Sequence, residues 1–185
     1  MTSRRDPEGR RRAMVEAAAQ EMVANGSSAL THRRVAELAR VPLGATTYYF
    51  DSLDDLRAAA LQSIAEQADE ELREFAQEIH GCDGRPEGIA ALFAAYLGDR
   101  ERLRAESLLY FAGVDNPELR PFAQQWVRGV TEILQAYAAP EAARATAVYL
   151  DGVILYTLLH DRPLDEAALR MAIAALMSTS LEEKP

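Results

Sequence analysis

Apolar residues recur at every third or fourth position along most of this chain, a spacing typical of amphipathic α-helices. The longest stripe predicts a helix over Leu53–Ile79. Eight further helices are predicted from similar stripes and from Gly, Pro and capping residues at their ends, at residues 8–25, 32–40, 43–49, 86–98, 101–114, 117–138, 140–161 and 165–181. The pattern therefore predicts an all-α protein of about nine helices.

The long predicted helix is apolar on one side and acidic on the other. Its stripe consists of Leu53, Leu56, Ala60, Leu61, Ile64, Ala68, Leu72, Phe75 and Ile79. The other side, which we expect to face solvent, carries Glu66, Asp69, Glu70, Glu71, Glu74 and Glu78. We predict an N-terminal unit over 1–52 and a C-terminal unit over 53–185, with residues 53–80 as a rigid connecting helix. The turn-rich stretch Gly81–Pro86 is predicted to be the hinge after it.

Two short helices joined by a tight turn precede the connecting helix. Thr31 is a candidate N-cap for a helix over His32–Arg40. Pro42 suits the start of a second helix over Leu43–Tyr49. Ser52 is a candidate cap for the connecting helix, with Asp55 three residues later. Such a pair suits a protein in which one helix crosses a phosphate backbone and the next enters the major groove.

The residue types on this pair suit contact with DNA. The second helix begins with small side chains, which allow close approach to base edges, and its threonines can meet polar groups or a thymine methyl. Tyr48 and Tyr49 offer hydroxyls to phosphates, and Arg33 and Arg34 open the first helix. We predict DNA contacts from Thr31, Arg33, Arg34, Leu43, Gly44, Ala45, Thr47, Tyr48 and Tyr49.

The stretch Val35-Ala36-Glu37-Leu38-Ala39-Arg40-Val41-Pro42-Leu43-Gly44-Ala45-Thr46-Thr47-Tyr48-Tyr49-Phe50, followed by Ser52 and Leu56, resembles the helix-turn-helix signature of the TetR family of bacterial transcriptional regulators. The resemblance implies a homodimeric repressor that binds a palindromic double-stranded DNA operator and is released by a small-molecule effector in its C-terminal domain. Three positions depart from the family pattern. Arg40 stands where a turn glycine is usual, Thr47 where a tyrosine is frequent and Leu53 where a lysine is frequent.

Charge is distributed unevenly along the chain. Residues 1–50 carry 8 Arg against 5 acidic side chains, whereas the whole chain has a net charge of −9. The N-terminal unit over 1–52 (the head) is therefore basic and the C-terminal unit over 53–185 (the body) is acidic. This distribution suits a protein that presents one end to DNA.

The chemistry of a cofactor enzyme is missing from the sequence. No Gly-rich phosphate loop, nucleophile motif or His/Cys cluster is present, so we expect no enzyme, no cofactor and no metal site. Cys82 is the single cysteine and excludes an internal disulfide. We expect no apolar run to reach the ~18 residues of a membrane span and no secretion signal at the start of the chain. We predict a cytoplasmic protein without a membrane partner.

The last two predicted helices have broad apolar faces. The eighth is apolar nearly all round and is predicted to be buried on more than one side. Two such helices can fill a monomer core or form a twofold four-helix interface, and we favour the dimer because a helix-turn-helix needs two half-sites.

Aromatic and polar side chains mix in the C-terminal half. A mostly apolar cavity with a few polar groups is the usual form of a ligand site, although aromatic residues at helical spacing are often simply core. The predicted ligand set is Phe93, Tyr96, Tyr110, Phe111, Phe122, Trp126, Asp151 and Tyr156. The alternative function is a helical interaction module that does not bind DNA.

Overall fold

The structure, a computed structural model, describes residues 6–178 without the side chain of Glu118. These residues form nine α-helices and no strand, which confirms the all-α prediction. The helices are α1 Pro7–Asn25, α2 His32–Leu38, α3 Leu43–Tyr49, α4 Leu53–Gly81, α5 Pro86–Tyr96, α6 Arg100–Asp115, α7 Arg120–Leu134, α8 Pro140–His160 and α9 Glu166–Met177. Short 3-10 turns occur at Ser27–Ala29 and Pro117–Leu119.

Side-chain caps start the helices where the sequence places them. The Thr31 hydroxyl accepts a hydrogen bond from Arg34 N at 3.1 Å, and the Ser52 hydroxyl accepts one from Asp55 N at 3.1 Å. Each cap satisfies a backbone N–H that has no partner inside its helix. The residue after α1, Gly26, combines φ 86° with an extended ψ of 159°, a conformation that favours glycine.

The predicted helix over 117–138 was too long at both ends. A 3-10 turn occupies Pro117–Leu119, and α7 starts only at Arg120 and ends at Leu134. Pro121 explains the late start, because a proline ring inside a helix clashes with the carbonyl four residues earlier, here that of Pro117. At the other end of the chain, α9 is described to Met177, and the predicted residues 179–181 lie outside the described part.

Two hydrophobic clusters form the core, and α4 contributes to both. Leu56, Leu61 and Ile64 of α4 pack with α1, α2 and Phe50 in the first cluster. Phe75 and Ile79 of α4 pack with α5, α7, α8 and α9 in the second. The connecting helix therefore touches both halves of the molecule, as its stripe predicts. A second link was not predicted: Leu109 of α6 is buried in the first cluster.

The turn between α2 and α3 is a Schellman motif. Val41 N donates to Ala36 O at 3.0 Å and Arg40 N donates to Glu37 O at 3.3 Å. This pairing places Arg40 at the C′ position, with φ 56°. The motif ends α2 two residues before the predicted Arg40. It also holds a residue with a Cβ atom in the left-handed region that favours glycine.

We expect Arg40→Gly to stabilise the fold. Removing the Cβ relieves left-handed strain of about 1–2 kcal/mol, and the greater freedom of glycine in the unfolded chain offsets part of it. A net gain of about 0.5–1 kcal/mol should raise Tm by about 1–4 °C. Arg40→Ala keeps the Cβ and is the control. A similar rise in both variants would mean that loss of the arginine charge, rather than relief of the backbone, is responsible.

Candidate nucleic-acid interface and effector pocket

Helix α3 packs against the core on one face and exposes its other face to solvent. Thr46 is fully buried and its hydroxyl donates to Leu43 O at 2.8 Å, while Phe50, at 4% exposure, closes the core after the helix. Tyr48 is 82% exposed and Leu43 is 53% exposed. Large apolar side chains that lie so far out of the core on a short helix contribute little to folding. Their exposure leaves the outer face of α3 open for the DNA contacts predicted above.

Most of the predicted DNA residues lie on the surface of the head. Seven of the nine are exposed and two, Ala45 and Tyr49, are half-buried. The Tyr49 ring packs edge-to-face against Tyr48, with ring centroids 5.1 Å apart. The exposed members are Thr31, Arg33, Arg34, Leu43, Gly44, Thr47 and Tyr48. All nine lie on α2, at its N-cap or on α3, two helices that pack together, and their contact with DNA stays a prediction.

Arg34 has a structural contact that the sequence did not indicate. Its Nε lies 3.1 Å from the Glu21 carboxylate, which is buried in α1. The pair ties α2 to α1 and satisfies a buried charge. Replacing Arg34 would therefore disturb the packing of the head, in addition to removing a predicted DNA contact. Among residues 6–178, Arg33 pairs only with Glu37 on its own helix, at 3.3 Å, and both side chains are exposed.

The eight predicted ligand residues do not line one cavity. Phe93, Tyr96 and Trp126 are buried in the second core cluster, where the Tyr96 ring stacks between the other two at centroid distances of 5.6 and 5.0 Å. Phe122 packs against the first cluster, and Tyr156 stacks on His160 with centroids 4.0 Å apart. For these five residues a role in ligand binding stays a prediction, since in the structure four of them pack in the core and the fifth stacks along its own helix.

The other three, Tyr110, Phe111 and Asp151, do meet at a cavity. It lies between α6 and α8, has a volume of about 90 Å³, and is also lined by Glu106 and Leu155. The Tyr110 hydroxyl donates to the Asp151 carboxylate across the two helices. An open groove of about 900 Å³ between α6, α7 and α8 shares Tyr110 and Asp151 with this cavity.

Carboxyl groups here titrate above their ordinary range. Burial, and to a smaller extent the nearby Asp151 and Glu71 carboxylates, raise the pKa of Glu106 to about 8. Burial also raises the pKa of Asp151 and that of Glu71. Perturbed carboxyls beside a cavity are a mark of binding sites.

The prediction that the whole acidic side of α4 faces solvent is wrong for Glu71. Its carboxylate is 3.1 Å from Arg102 Nε of α6, and both side chains are largely covered. The spacing could have shown this, because Ile64, Ala68, Glu71 and Phe75 follow each other at intervals of 4, 3 and 4, within the apolar stripe.

One face of α8 is apolar and exposed in the single chain. Ala145, Val148, Gly152, Leu155 and Leu159 are spaced at 3, 4, 3 and 4, and all are exposed. Leu159 is 73% exposed, and Met171 on α9 is 71% exposed. The prediction that α8 is buried on more than one side therefore does not hold within one chain.

Helix α8 is also long and apolar enough to cross a membrane by composition alone, contrary to our expectation. Its other face packs in the second core cluster through Ala147, Leu150 and Val153 among others, as expected of a core helix.

Comparison with known proteins gives consistent results. A family model described as "Tetracyclin repressor-like, C-terminal domain" matches residues 87–179. A crystal structure of the multidrug binding protein EbrR with imidazole is 36% identical, with a TM-score of 0.74, and the match covers 97% of this chain and 100% of that one. A TetR-family member from Streptomyces coelicolor A3 is 36% identical, with a TM-score of 0.77 and coverage of 92% and 99%.

EbrR with proflavin is 38% identical, with a TM-score of 0.70 and coverage of 90% and 99%. No curated protein sequence matches the chain. A match over half the chain and relatives above 30% identity over nearly its whole length lead to one conclusion: the chain belongs to the TetR family of transcriptional regulators.

Proposed function

We propose that this regulator is a cytoplasmic homodimeric repressor, without catalytic activity, that binds a palindromic operator and is released by a small molecule. The exposed outer face of α3 carries the proposal. Its small first turn leaves room for base edges, and the exposed Tyr48 would offer its hydroxyl to a phosphate. The charge distribution supports the same proposal, because the head is basic and attracts phosphates whereas the body is acidic.

A twofold dimer would account for the exposed apolar stripe of α8. The stripe, with Met171 of α9 beside it, would be covered by the same stripe of a second subunit. Gly152 lies within it, and a Cβ atom there would meet nothing within 4 Å, so a partner helix can approach closely. Two recognition helices would then reach half-sites about 34–36 Å apart.

An aromatic cation is the effector class that the site and the relatives support. EbrR has been crystallised with proflavin, malachite green and ethidium, all of them cationic dyes. In this chain Asp151 and Glu106 supply carboxyl groups and Tyr110 and Phe111 supply rings beside the α6/α8 cavity. The cavity is smaller than a dye, so we place the ligand partly in the adjoining groove. That groove also carries Arg120, Arg128 and Arg144, so the cationic group is expected at its Asp151 end.

A direct test first needs the operator, which selection of the genomic DNA fragments that the protein binds would identify. Fluorescence anisotropy then measures duplex affinity across a salt series. With about four phosphate contacts per dimer, affinity should fall on the order of a hundredfold between about 50 and 200 mM salt. Tyr48→Ala should weaken binding about tenfold or more. Because that side chain is 82% exposed, the melting curve should not change.

If the protein binds no DNA duplex even at low salt, the proposed repressor function is wrong. The chain would then be a helical interaction module. A dye that binds but leaves operator affinity unchanged would contradict the proposed release, because a ligand shifts the equilibrium only by its different affinity for two states.

A further inference from the structure

The α6/α8 cavity and the exposed stripe of α8 share residues. Gly152 and Leu155 belong to the stripe and also line the cavity, and Val148 of the stripe lines the adjoining groove. Asp151 and Ile154 line the cavity from deeper positions, since the first is half-buried and the second is buried. The outer rim of the cavity is therefore part of the surface that a second subunit would cover.

Exposed apolar side chains border this rim on α6 as well. Phe111 lines the cavity and Val114 lines the groove, and both side chains are largely exposed. Of the ten large apolar side chains exposed among residues 6–178, six lie on α6 and α8, the two helices that form the cavity. Water-exposed apolar surface of this extent around one rim favours a partner that covers it. A second copy of the chain is that partner, because the rim is continuous with the stripe of the proposed dimer.

The middle of the stripe leaves room for a ligand between two subunits. Gly152 is the central residue of the stripe, with seven residues on either side before Ala145 and Leu159 are reached. When two such helices pair about a twofold axis at their centres, each Gly152 lies close to its own copy. A glycine has no side chain that could enter the neighbouring cavity, and a Cβ atom at Gly152 would meet nothing within 4 Å. The partner can therefore cover the rim without filling the cavity.

We propose that the effector site is completed by the second subunit, whose α8 stripe covers the rim and encloses the ligand between the two chains. This inference rests on the proposed function, on both its dimer and its effector site. The cavity of about 90 Å³ holds only part of a dye, so the remainder of the dye in a single subunit is exposed to water. Covering a further ~60 Å² of apolar ligand surface corresponds to about tenfold in affinity.

The proposal has a consequence for how the operator is released. Thermodynamic linkage is reciprocal, so an effector that prefers the dimer about tenfold at each of two sites lowers the dissociation constant of the dimer by about a hundredfold. The effector then strengthens the dimer while it weakens DNA binding. Release takes place within an intact dimer, not by separation into monomers.

Sedimentation velocity of the unmodified full-length protein over a dilution series, with and without saturating proflavin and without DNA, tests this linkage. We expect proflavin to lower the dissociation constant of the dimer about a hundredfold. An unchanged constant would overturn the proposal, because the ligand would then contact one subunit only. A raised constant would overturn it as well, because the second subunit would then compete with the ligand for the rim.

A fluorescence titration of the Leu159→Glu variant with proflavin gives an independent measurement. Leu159 belongs to the stripe but lines neither the cavity nor the groove, so the change acts on the ligand through loss of the partner. We expect the monomeric variant to bind proflavin about tenfold or more weakly, although its added carboxylate attracts a cation. Ala95→Glu adds the same charge at an exposed position of α5 and should bind within about twofold of the unmodified protein. Melting curves confirm that both variants are folded.

The completed site and the repressor function fail on different results. Equal proflavin affinity in Leu159→Glu and Ala95→Glu would overturn the completed site and leave the repressor function intact. An unmodified dimer that binds no proflavin would contradict the proposed effector class and the completed site together. Operator binding, measured without any dye, is independent of both outcomes.

Discussion

A Leu159→Glu variant is expected to be monomeric and to lose operator binding, while each subunit stays folded. Leu159 is 73% exposed in the single chain, so the change costs the fold less than about 0.5 kcal/mol. At a twofold interface the same change buries two carboxylates without partners, at about 3–5 kcal/mol. Self-association should therefore weaken by a factor of about a hundred or more. Operator affinity follows, because one helix-turn-helix reads only one half-site.

Sedimentation velocity and operator titration measure these two effects. Ala95→Glu supplies the control, because Ala95 is exposed on α5, away from the α8 stripe. That variant should remain dimeric and bind DNA normally. A Leu159→Glu protein that is still dimeric would place the interface elsewhere and leave the exposed stripe of α8 unexplained.

The second large effect is expected at Gly44, where stability and DNA binding should change in opposite directions. A Cβ atom at Gly44 meets nothing within 4 Å, so Gly44→Glu introduces no clash inside the protein. Glutamate is a better helix former than glycine and suits the first turn, so the free energy of unfolding should rise by about 0.5–1 kcal/mol. On the DNA side, the same side chain occupies the space for base edges and repels phosphates. We expect operator affinity to fall more than about a hundredfold.

Gly81→Glu is the matched control for this experiment. Gly81 is the last residue of α4 and also has open space around its Cβ position. The control should bind the operator within about threefold of the unmodified protein. Unchanged affinity in Gly44→Glu would remove the start of α3 from the interface, whatever Tyr48 does.

Local chemistry explains why the head could be predicted from the sequence. Thr31, Ser52 and Pro42 act within a few residues of themselves, and each begins a helix as expected. Leu53–Gly81 could be predicted because its apolar stripe continues through seven turns. The α7 start was missed through Pro121, a local signal that was present in the sequence.

Contacts between distant helices explain what could not be predicted. An aromatic residue at helical spacing is buried, but spacing alone does not say whether it faces a core or a cavity. Trp126 and Tyr110 show the two outcomes on adjacent helices. The Arg34–Glu21 pair and the burial of Leu109 depend on which helices pack together, and no periodicity within one helix reports that.

Because α4 is long, a small tilt at one of its ends causes a large displacement at the other. With 29 residues the helix is about 44 Å long. A tilt of about one degree about one end moves the other end by about 0.8 Å. A rotation of four to five degrees would displace each recognition helix by roughly the 3.4 Å rise of one base pair. Release from an operator would then require no unfolding and no large domain movement, only a small angular error repeated in two subunits.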